Sequence, residues 1–565
     1  MKKFSRFLML ALCCGLLLSS CGDSDTTAGT SGGGDETSTE PVVVKYWGGS
    51  PAGMDGIQEN LIADQIEKDI GVRLSCYANR DDAALTAMFA SGDVPDLIDF
   101  SSLAGESGAT ATNRLIENNR LMELDDLIAQ YAPDIQKMED YLQFHRDVYG
   151  NGTGKLYVLQ GYIEKANEKC TSTGKGIYLP FHYYAELGYP EIHSMDDMLN
   201  VANQMVQNHP TNENGDKCYG FSTFFEWGLM LHEWGDVIKA MEGESVVSGR
   251  AGQFLELNLE TMETSDYISN LDSTMWKGTE LFYRANQMGI MDPDIYINKW
   301  DTMNSKGDRI YMSNLAGCAS AFNQEHAEEG LGFEAIPMNC KQFVLGTDSP
   351  MGAAHRMNVI PAEAEEPVGA IKYLNYTMSE DGVRTLNRGI EGQHYIEQDG
   401  KFIIPKTITD AIKEDPNYYQ NLGIGQYSVN LGGSMRDSRG QLLNLGEPSD
   451  MEDPPEMTNF EKAYCEHYGI SQVNEQHSYL EGYTIDGTAL AFIAPMPDDL
   501  AEKAVDINAY IMVEVPNLIM AESDEEFKEG QARIIEECRQ KGLDEVVEFQ
   551  RQAFADAVKA AEKYK

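Results

Sequence analysis

VVVKYWGGSPAGMDGIQENLIADQIEKDIGVRLSCYANRDDAALTAMFASGDVPDLIDF, residues 42–100, is the stretch whose pattern decides the fold. Val42 to Trp47 is apolar and β-branched at its start and reads as a buried strand, followed by a Gly48-Gly49-Ser50-Pro51 loop. Gly56 to Ile70 carries Ile57, Leu61, Ile62, Ile66 and Ile70 at helical spacing, and Gly71 ends it. Val72 to Tyr77 reads as a second strand. Asp82 to Ala90 is helical, with Leu85, Met88 and Phe89 on one face, and Pro95-Asp96 leads into a third strand, Leu97 to Phe100. Strand, helix, strand, helix, strand predicts a largely parallel sheet covered by helices, an α/β fold. Ligands of such sheets sit at the carboxyl ends of the strands, which makes Trp47, Asp99 and Ser101 the first candidate site residues.

The same alternation continues. Glu117 to Tyr131 is predicted helical, Leu156 to Gln160 and Gly176 to Leu179 extended, and Met195 to Asn208 an amphipathic helix capped by Ser194 with Asp196 and Asp197 in its first turn. Further helices are predicted over 272–288, 367–378, 381–386, 501–513, 524–541 and 543–564. No fixed-period repeat is visible. The proline-rich stretch from Gly446 to Met457 reads as surface loop, not as a linker between domains.

Upstream of the first strand the chain changes character. Lys2, Lys3 and Arg6 precede an apolar run from Phe7 to Leu18, which ends in Leu18-Ser19-Ser20-Cys21. Basic start, short apolar core and small residues at the cut are the three parts of a secretory signal peptide, expected here over residues 1–20. The apolar run falls short of the about 20 residues a bilayer span needs. Its last four residues resemble the lipobox of bacterial lipoproteins, which implies that Cys21 receives a diacylglyceryl group and anchors the chain outside the cytoplasm. Residues 21–41, rich in Gly, Ser, Thr and acidic residues, cannot bury enough surface to order themselves and are expected to form a flexible tether.

The 565 residues carry a formal charge of −48, spread along the chain. Such a chain is not expected to bind nucleic acid through its phosphates, nor an anionic membrane surface by its own charge, so membrane contact is expected through the lipid alone. Of ten cysteines, Cys13, Cys14 and Cys21 belong to the leader and the lipid site; the remaining seven include an odd one and show no C-x-x-C spacing. For an exported protein this argues against a disulfide framework and against a cysteine zinc site. Asn212, Asn214 and Asp216 place oxygens at alternate positions, but the spacing departs from the calcium-loop pattern and reads as a plain turn. Neither metal nor cofactor is expected.

Five further segments are informative together. They are F-A-S-G-D-V-P-D at 89–96; Y-A-E-L-G-Y-P-E-I at 184–192 followed by D-D-M-L at 196–199; H-P-T-N-E-N-G-D-K-C-Y-G at 209–220; I-K-Y-L-N-Y-T-M-S-E-D-G at 371–382 with G-I-E-G-Q-H-Y at 389–395; and G-L-D-E-V-V-E-F-Q-R-Q at 542–552. In this order and spacing the chain resembles the family-1 extracellular solute-binding proteins, in particular the long lipoprotein branch serving carbohydrate ABC importers. The resemblance implies a two-lobed periplasmic-binding-protein-like fold with a cleft and a hinge between discontinuous lobes. One lobe is expected over 42–160 and 310–365, the other over 161–309 and 366–500, with C-terminal helices over 501–565. It also implies a monomer that captures an oligosaccharide by lobe closure, docks on ABC permease subunits and catalyses nothing. A peptide or another small solute is the alternative ligand. The sequence departs from the family where many relatives carry an Arg and an Asp-Trp pair; here Leu179-Pro180-Phe181-His182-Tyr183-Tyr184 stands, so contacts of those residues do not carry over.

A pyranose presents an apolar C–H face and a rim of hydroxyls, which calls for aromatic rings beside a few placed polar groups. The chain has five tryptophans. Trp47 ends the first strand. Trp227 and Trp234, in the aromatic run F-F-E-W-G-L-M-L-H-E-W, are seven residues apart and would share one face of a helix. Trp276 lies in a helical pattern and reads as core, whereas Trp300 and Tyr296 sit in a polar loop. Tyr183 and Tyr184 fall where the relatives approach ligand. Arg356, near a return crossing, offers hydrogen bonds to hydroxyls or a carboxylate, or else a structural ion pair. Glu391 and His394 border the cleft or shape their turn. No G-x-S-x-G, H-E-x-x-H or P-loop motif points to an enzyme.

Overall fold

A computed structural model describes residues 41–48, 54–77, 82–100, 108–165, 175–249, 251–315, 317–337, 343–352, 356–432, 435–476 and 482–564. The expected leader, Cys21, the tether and Ser101 lie outside the described residues.

Two sheets organise the body, each in its own hydrophobic core. The first has six strands, in the order Gly56–Ile57, Val72–Cys76, Val42–Trp47, Leu97–Asp99, Met357–Val359 and Leu159–Gln160. Val42–Trp47 pairs in parallel with Val72–Cys76 on one side and Leu97–Asp99 on the other. The Met357–Val359 strand then runs antiparallel to Leu97–Asp99. Helices Leu61–Ile70 and Pro367–Thr377 cover this sheet through Ile62, Ile66, Ile371 and Leu374. Asn60 caps the first of these helices with its side chain, accepting from Ala63 N–H.

The second sheet has four strands, in the order Phe333–Ala335, Lys175–Pro180, Ile310–Leu315 and Tyr219–Phe221. Its core takes in helices Met195–Asn208, Leu231–Met241 and Thr274–Gln287, together with the three long C-terminal helices, Asp498–Leu518, Asp524–Gln540 and Leu543–Ala561. Ser194 caps Met195–Asn208 as expected, accepting from Asp197 N–H.

The lobe boundaries differ from the expected ones. Residues 310–315 and 333–335 hydrogen-bond to Lys175–Pro180, and Tyr311, Met312 and Phe333 sit in the second core, so this stretch does not return to the first lobe. Helices Pro367–Thr377 and Glu380–Arg388, expected in the second lobe, bury Tyr373, Leu374, Val383 and Leu386 in the first core. Hydropathy marks a buried helix face without saying which of two cores buries it.

The chain therefore passes between the cores several times. Phe343–Asp348 and Gly482–Asp486, in two of these passages, pair in parallel as a two-stranded ribbon. Just beyond it, the buried hydroxyls of Ser349 and Thr488 are hydrogen-bonded at 2.8 Å. The C-terminus makes a further link. Helix Leu543–Ala561 buries Leu543, Val547 and Phe554 in the second core, whereas Tyr564 stacks on Phe492 and meets the edge of Phe144 in the first. Lys563 Nζ holds Asp147 there at 2.6 Å. Cys76, Cys218, Cys465 and Cys538 are buried and form no disulfide.

Helices Leu231–Met241 and Thr274–Gln287 meet backbone to backbone. A Cβ on Gly235 would stand 1.9 Å from Thr274 O, and one on Gly278 1.9 Å from Leu231 O. Ala is the better helix former, yet Gly278→Ala should destabilise the protein by about 1–3 kcal/mol because the helices must separate. A urea midpoint equal to or above that of the unsubstituted protein would contradict this packing.

Candidate functional site

In the first sheet the parallel strands end together at Trp47-Gly48, Cys76-Tyr77 and Asp99-Phe100. The antiparallel neighbours place Arg356 and Gln160 at the same end, since Asn358 pairs with Asp99 and Met357 with Gln160. Here Arg356 Nη2 lies 3.0 Å from Asp99 Oδ2, the carboxylate wholly buried and the guanidinium largely so. Gln160 is fixed from below: Tyr141 Oη donates to its carbonyl, Tyr149 Oη accepts from its amide, and its backbone N–H donates to His145 Nε2 at 3.1 Å. The other ring nitrogen of His145 lies 2.7 Å from Tyr141 O, so the neutral tautomer carrying hydrogen on Nδ1 satisfies both contacts. Burial pushes His145 down to about 4. Just after Gln160, Tyr162 adopts φ 59° and stays 42% exposed.

In the second sheet the corresponding end is where Tyr219–Phe221 and Ile310–Leu315, a parallel pair, both finish. Lys175–Pro180 runs the other way and starts there, opposite Leu315, and Ile336 N–H bonds to Ile177 O as its chain leaves for the first lobe. This end is therefore the one that faces the crossings. The loop after Phe221 puts Trp227 here, 61% exposed. Its ring lies 5.2 Å from that of Trp300, tilted by 31°. Beneath both, buried Phe224 presents edges at 5.0 and 5.5 Å, in a small cluster with Met230 and Met303. Trp300 lies over Gly317, directly past Leu315, where a Cβ would come within 2.8 Å of the indole.

The candidate residues thus separate. Asp99 and Arg356 meet at the crossing end of the first sheet, and Trp227 and Trp300 at that of the second. Trp47 ends its strand as expected, but its ring is fully buried among Leu85, Ile98 and Met357, 5.7 Å from the ring of Tyr77. Strand alternation turns Val44 and Tyr46 to one helical layer and Trp47 to the other. Trp234 is core, edge-on to Phe221 and Phe282, and shares no helix with Trp227, which precedes the helix that begins at Leu231. Trp276 is core as well, with Nε1 donating to Ile268 O.

Tyr183 and Tyr184 follow Pro180, at the end of the sheet away from the crossings. Tyr183 stacks on His209 at 3.8 Å, and Tyr184 is buried with its hydroxyl donating to Pro190 O. His394 is buried and its Nδ1 accepts Ile390 N–H, which shapes the turn beside Glu391. Asn212 Oδ1 accepts the N–H groups of Asn214 and Asp216, closing that turn on itself. Tyr162 was not among the candidates: a left-handed tyrosine has no sequence signature, and its location follows from strand pairing alone.

No protein-family model matches the chain, and no curated protein sequence does. Solved structures do match. The S. pneumoniae ABC-transporter substrate binding protein FusA, an EF-hand mutant in complex with fructo-nystose, aligns at TM-score 0.60 and 15% identity, over 92% of this chain and 100% of that one. The alginate-binding protein AlgQ2, without calcium ion, aligns at 0.58 and 15% identity, over 91% and 98%. An HMO binding, ABC-transporter associated solute binding protein from Bifidobacterium longum infantis aligns at 0.54 and 12% identity, over 91% and 99%. The chain shares the fold of these proteins over nearly its whole length.

Two outcomes test the first-lobe end of the site. Arg356→Met should cost about 3–5 kcal/mol in urea denaturation, and the double substitution with Asp99→Asn less, because the single change strands a buried carboxylate; equal losses would refute a buried pair. His145 titrates at about 4 in the fold against 6.5 when free. The unfolded chain thus binds the extra proton first, and stability should fall as pH drops from 6.5 towards 4, by on the order of 3 kcal/mol. His145→Gln should flatten that slope in denaturation curves taken across the window.

Proposed function

We propose that this protein is the extracytoplasmic substrate-binding component of a bacterial ABC importer and that an oligosaccharide binds between its lobes. The observation that carries the reading is the Trp227–Trp300 ring pair at the crossing end of the second sheet, Trp227 exposed and Trp300 half-buried beside it. Two indoles at 5.2 Å give the C–H faces of adjoining sugar rings a surface to rest on. Arg356, at the crossing end of the other lobe and held there by buried Asp99, is a charged donor suited to hydroxyls. Proteins sharing this fold point the same way: one is in complex with fructo-nystose, one is alginate-binding and one is HMO binding.

Lobe closure by bending at the ribbon of Phe343–Asp348 and Gly482–Asp486 would cover the ligand and present the closed form to permease subunits. The protein acts as a monomer and by binding, without turnover. Cys21 carries the lipid that holds it at the membrane, and no helix among the described residues is long and apolar enough to cross one.

Thermal-shift screening against oligosaccharide and peptide panels tests this directly. A true ligand at 100 times its Kd should add about 2.7 kcal/mol of stability. For the best sugar, Trp227→Ala and Trp300→Ala should each raise Kd roughly fivefold or more, as expected for about 1 kcal/mol of ring stacking. Tyr183→Ala, at the far end of the sheet, should leave Kd unchanged. Stabilisation by peptides alone, or full affinity without either indole, would overturn the proposal.

A further inference from the structure

The paired indoles of Trp227 and Trp300 come from separate segments of the chain, and what joins those segments is a buried polar knot. Asp292 is wholly buried. Its Oδ2 accepts Ser222 Oγ at 2.6 Å, Asn298 Nδ2 at 3.1 Å and Lys306 Nζ at 2.6 Å. Its Oδ1 accepts Asp294 N–H, and its own N–H donates to Phe221 O at the sheet edge. Asn298 Nδ2 also reaches Ser222 Oγ and Thr223 O. Lys306 Nζ reaches Asp294 at 3.0 Å as well.

Every one of these contacts joins the start of the loop carrying Trp227 to the segment 292–306, which carries Trp300, or braces that segment internally. Higher up, Glu226 Oε2 accepts Trp300 N–H at 3.2 Å, and Phe224 lies against both indoles. Burying a carboxylate and an ammonium is costly unless each is fully hydrogen-bonded. A hydrophobic filler would close the same gap more cheaply, but it would not fix the loop in one register.

We propose that Asp292, Asn298 and Lys306 are positioning residues that set the angle and spacing of the Trp227–Trp300 pair before any ligand arrives. They act on the indoles through the Ser222–Trp227 loop. A pair held in place beforehand spares the ligand the ordering cost of two aromatic side chains. This role in recognition rests on the oligosaccharide reading, whereas the positioning itself does not.

The experiment is far-UV circular dichroism of the ligand-free protein. Trp227 and Trp300 are the one indole–indole contact among the described residues, so their exciton couplet reports their geometry. Trp227→Phe and Trp300→Phe should each abolish the couplet and so assign it. Asp292→Asn and Asn298→Ala should each lose most of its amplitude while keeping a cooperative urea transition. Asp196→Ala, which breaks the remote ion pair with Arg284, should keep it. If Asp292→Asn does not fold, Asn298→Ala, which removes no charge, decides. A full couplet in either folded variant overturns the proposal. Collapse of the couplet in a protein that binds no glycan would retire the ligand reading and leave the positioning role standing.

Discussion

The strands flanking two passages of the chain between the cores, Leu159–Gln160 with Lys175–Pro180 and Phe333–Ala335 with Met357–Val359, meet those passages at one end of each sheet, and the placement of the site follows from that constraint. In the first sheet the parallel strands finish there, and the antiparallel partners place Gln160 and Arg356 beside them. In the second, Tyr219–Phe221 and Ile310–Leu315 finish where Lys175–Pro180 begins. Loops that follow parallel strands are thereby directed towards the crossings. The loop after Phe221 gives Leu229 to the second core and buries Phe224, but leaves Trp227 61% exposed, while Trp47, Trp234 and Trp276 are enclosed.

The fold was legible where one local signal was enough. Three short strands separated by helical spacing announced a parallel sheet, and Ser194, with Asp196 and Asp197 behind it, announced a helix start that the structure reproduces. Lobe membership was not legible. Tyr311 and Tyr373 are equally apolar in their settings, and only long-range pairing decides that one joins Lys175–Pro180 and the other faces Val42–Trp47. In a chain with two cores, hydropathy reports burial but carries no address.

The site divided along the same line. Strand ends were readable, and with them Asp99. Facing was not: in a sheet covered on both sides, alternation is masked because both faces are apolar, so nothing in Val42–Trp47 distinguished a ring turned to the cleft from one turned to the helices. Tyr183 and Tyr184 misled for a different reason. Their neighbouring strand runs antiparallel to the one that leads to Gly317, which sends them to the far edge. Strand direction is a property of the assembled sheet and has no local code.

Tyr564 has a mechanical meaning. A ribbon of two strands, taken alone, would let one lobe swivel about the other in any sense. The C-terminal helix is rooted in the second core, and its last ring is wedged on Phe144 and Phe492 of the first, which adds a separate point of attachment. Residues 563–564 thus tie the two cores together at a place of their own, and any movement of one lobe against the other has to part these rings or turn about them.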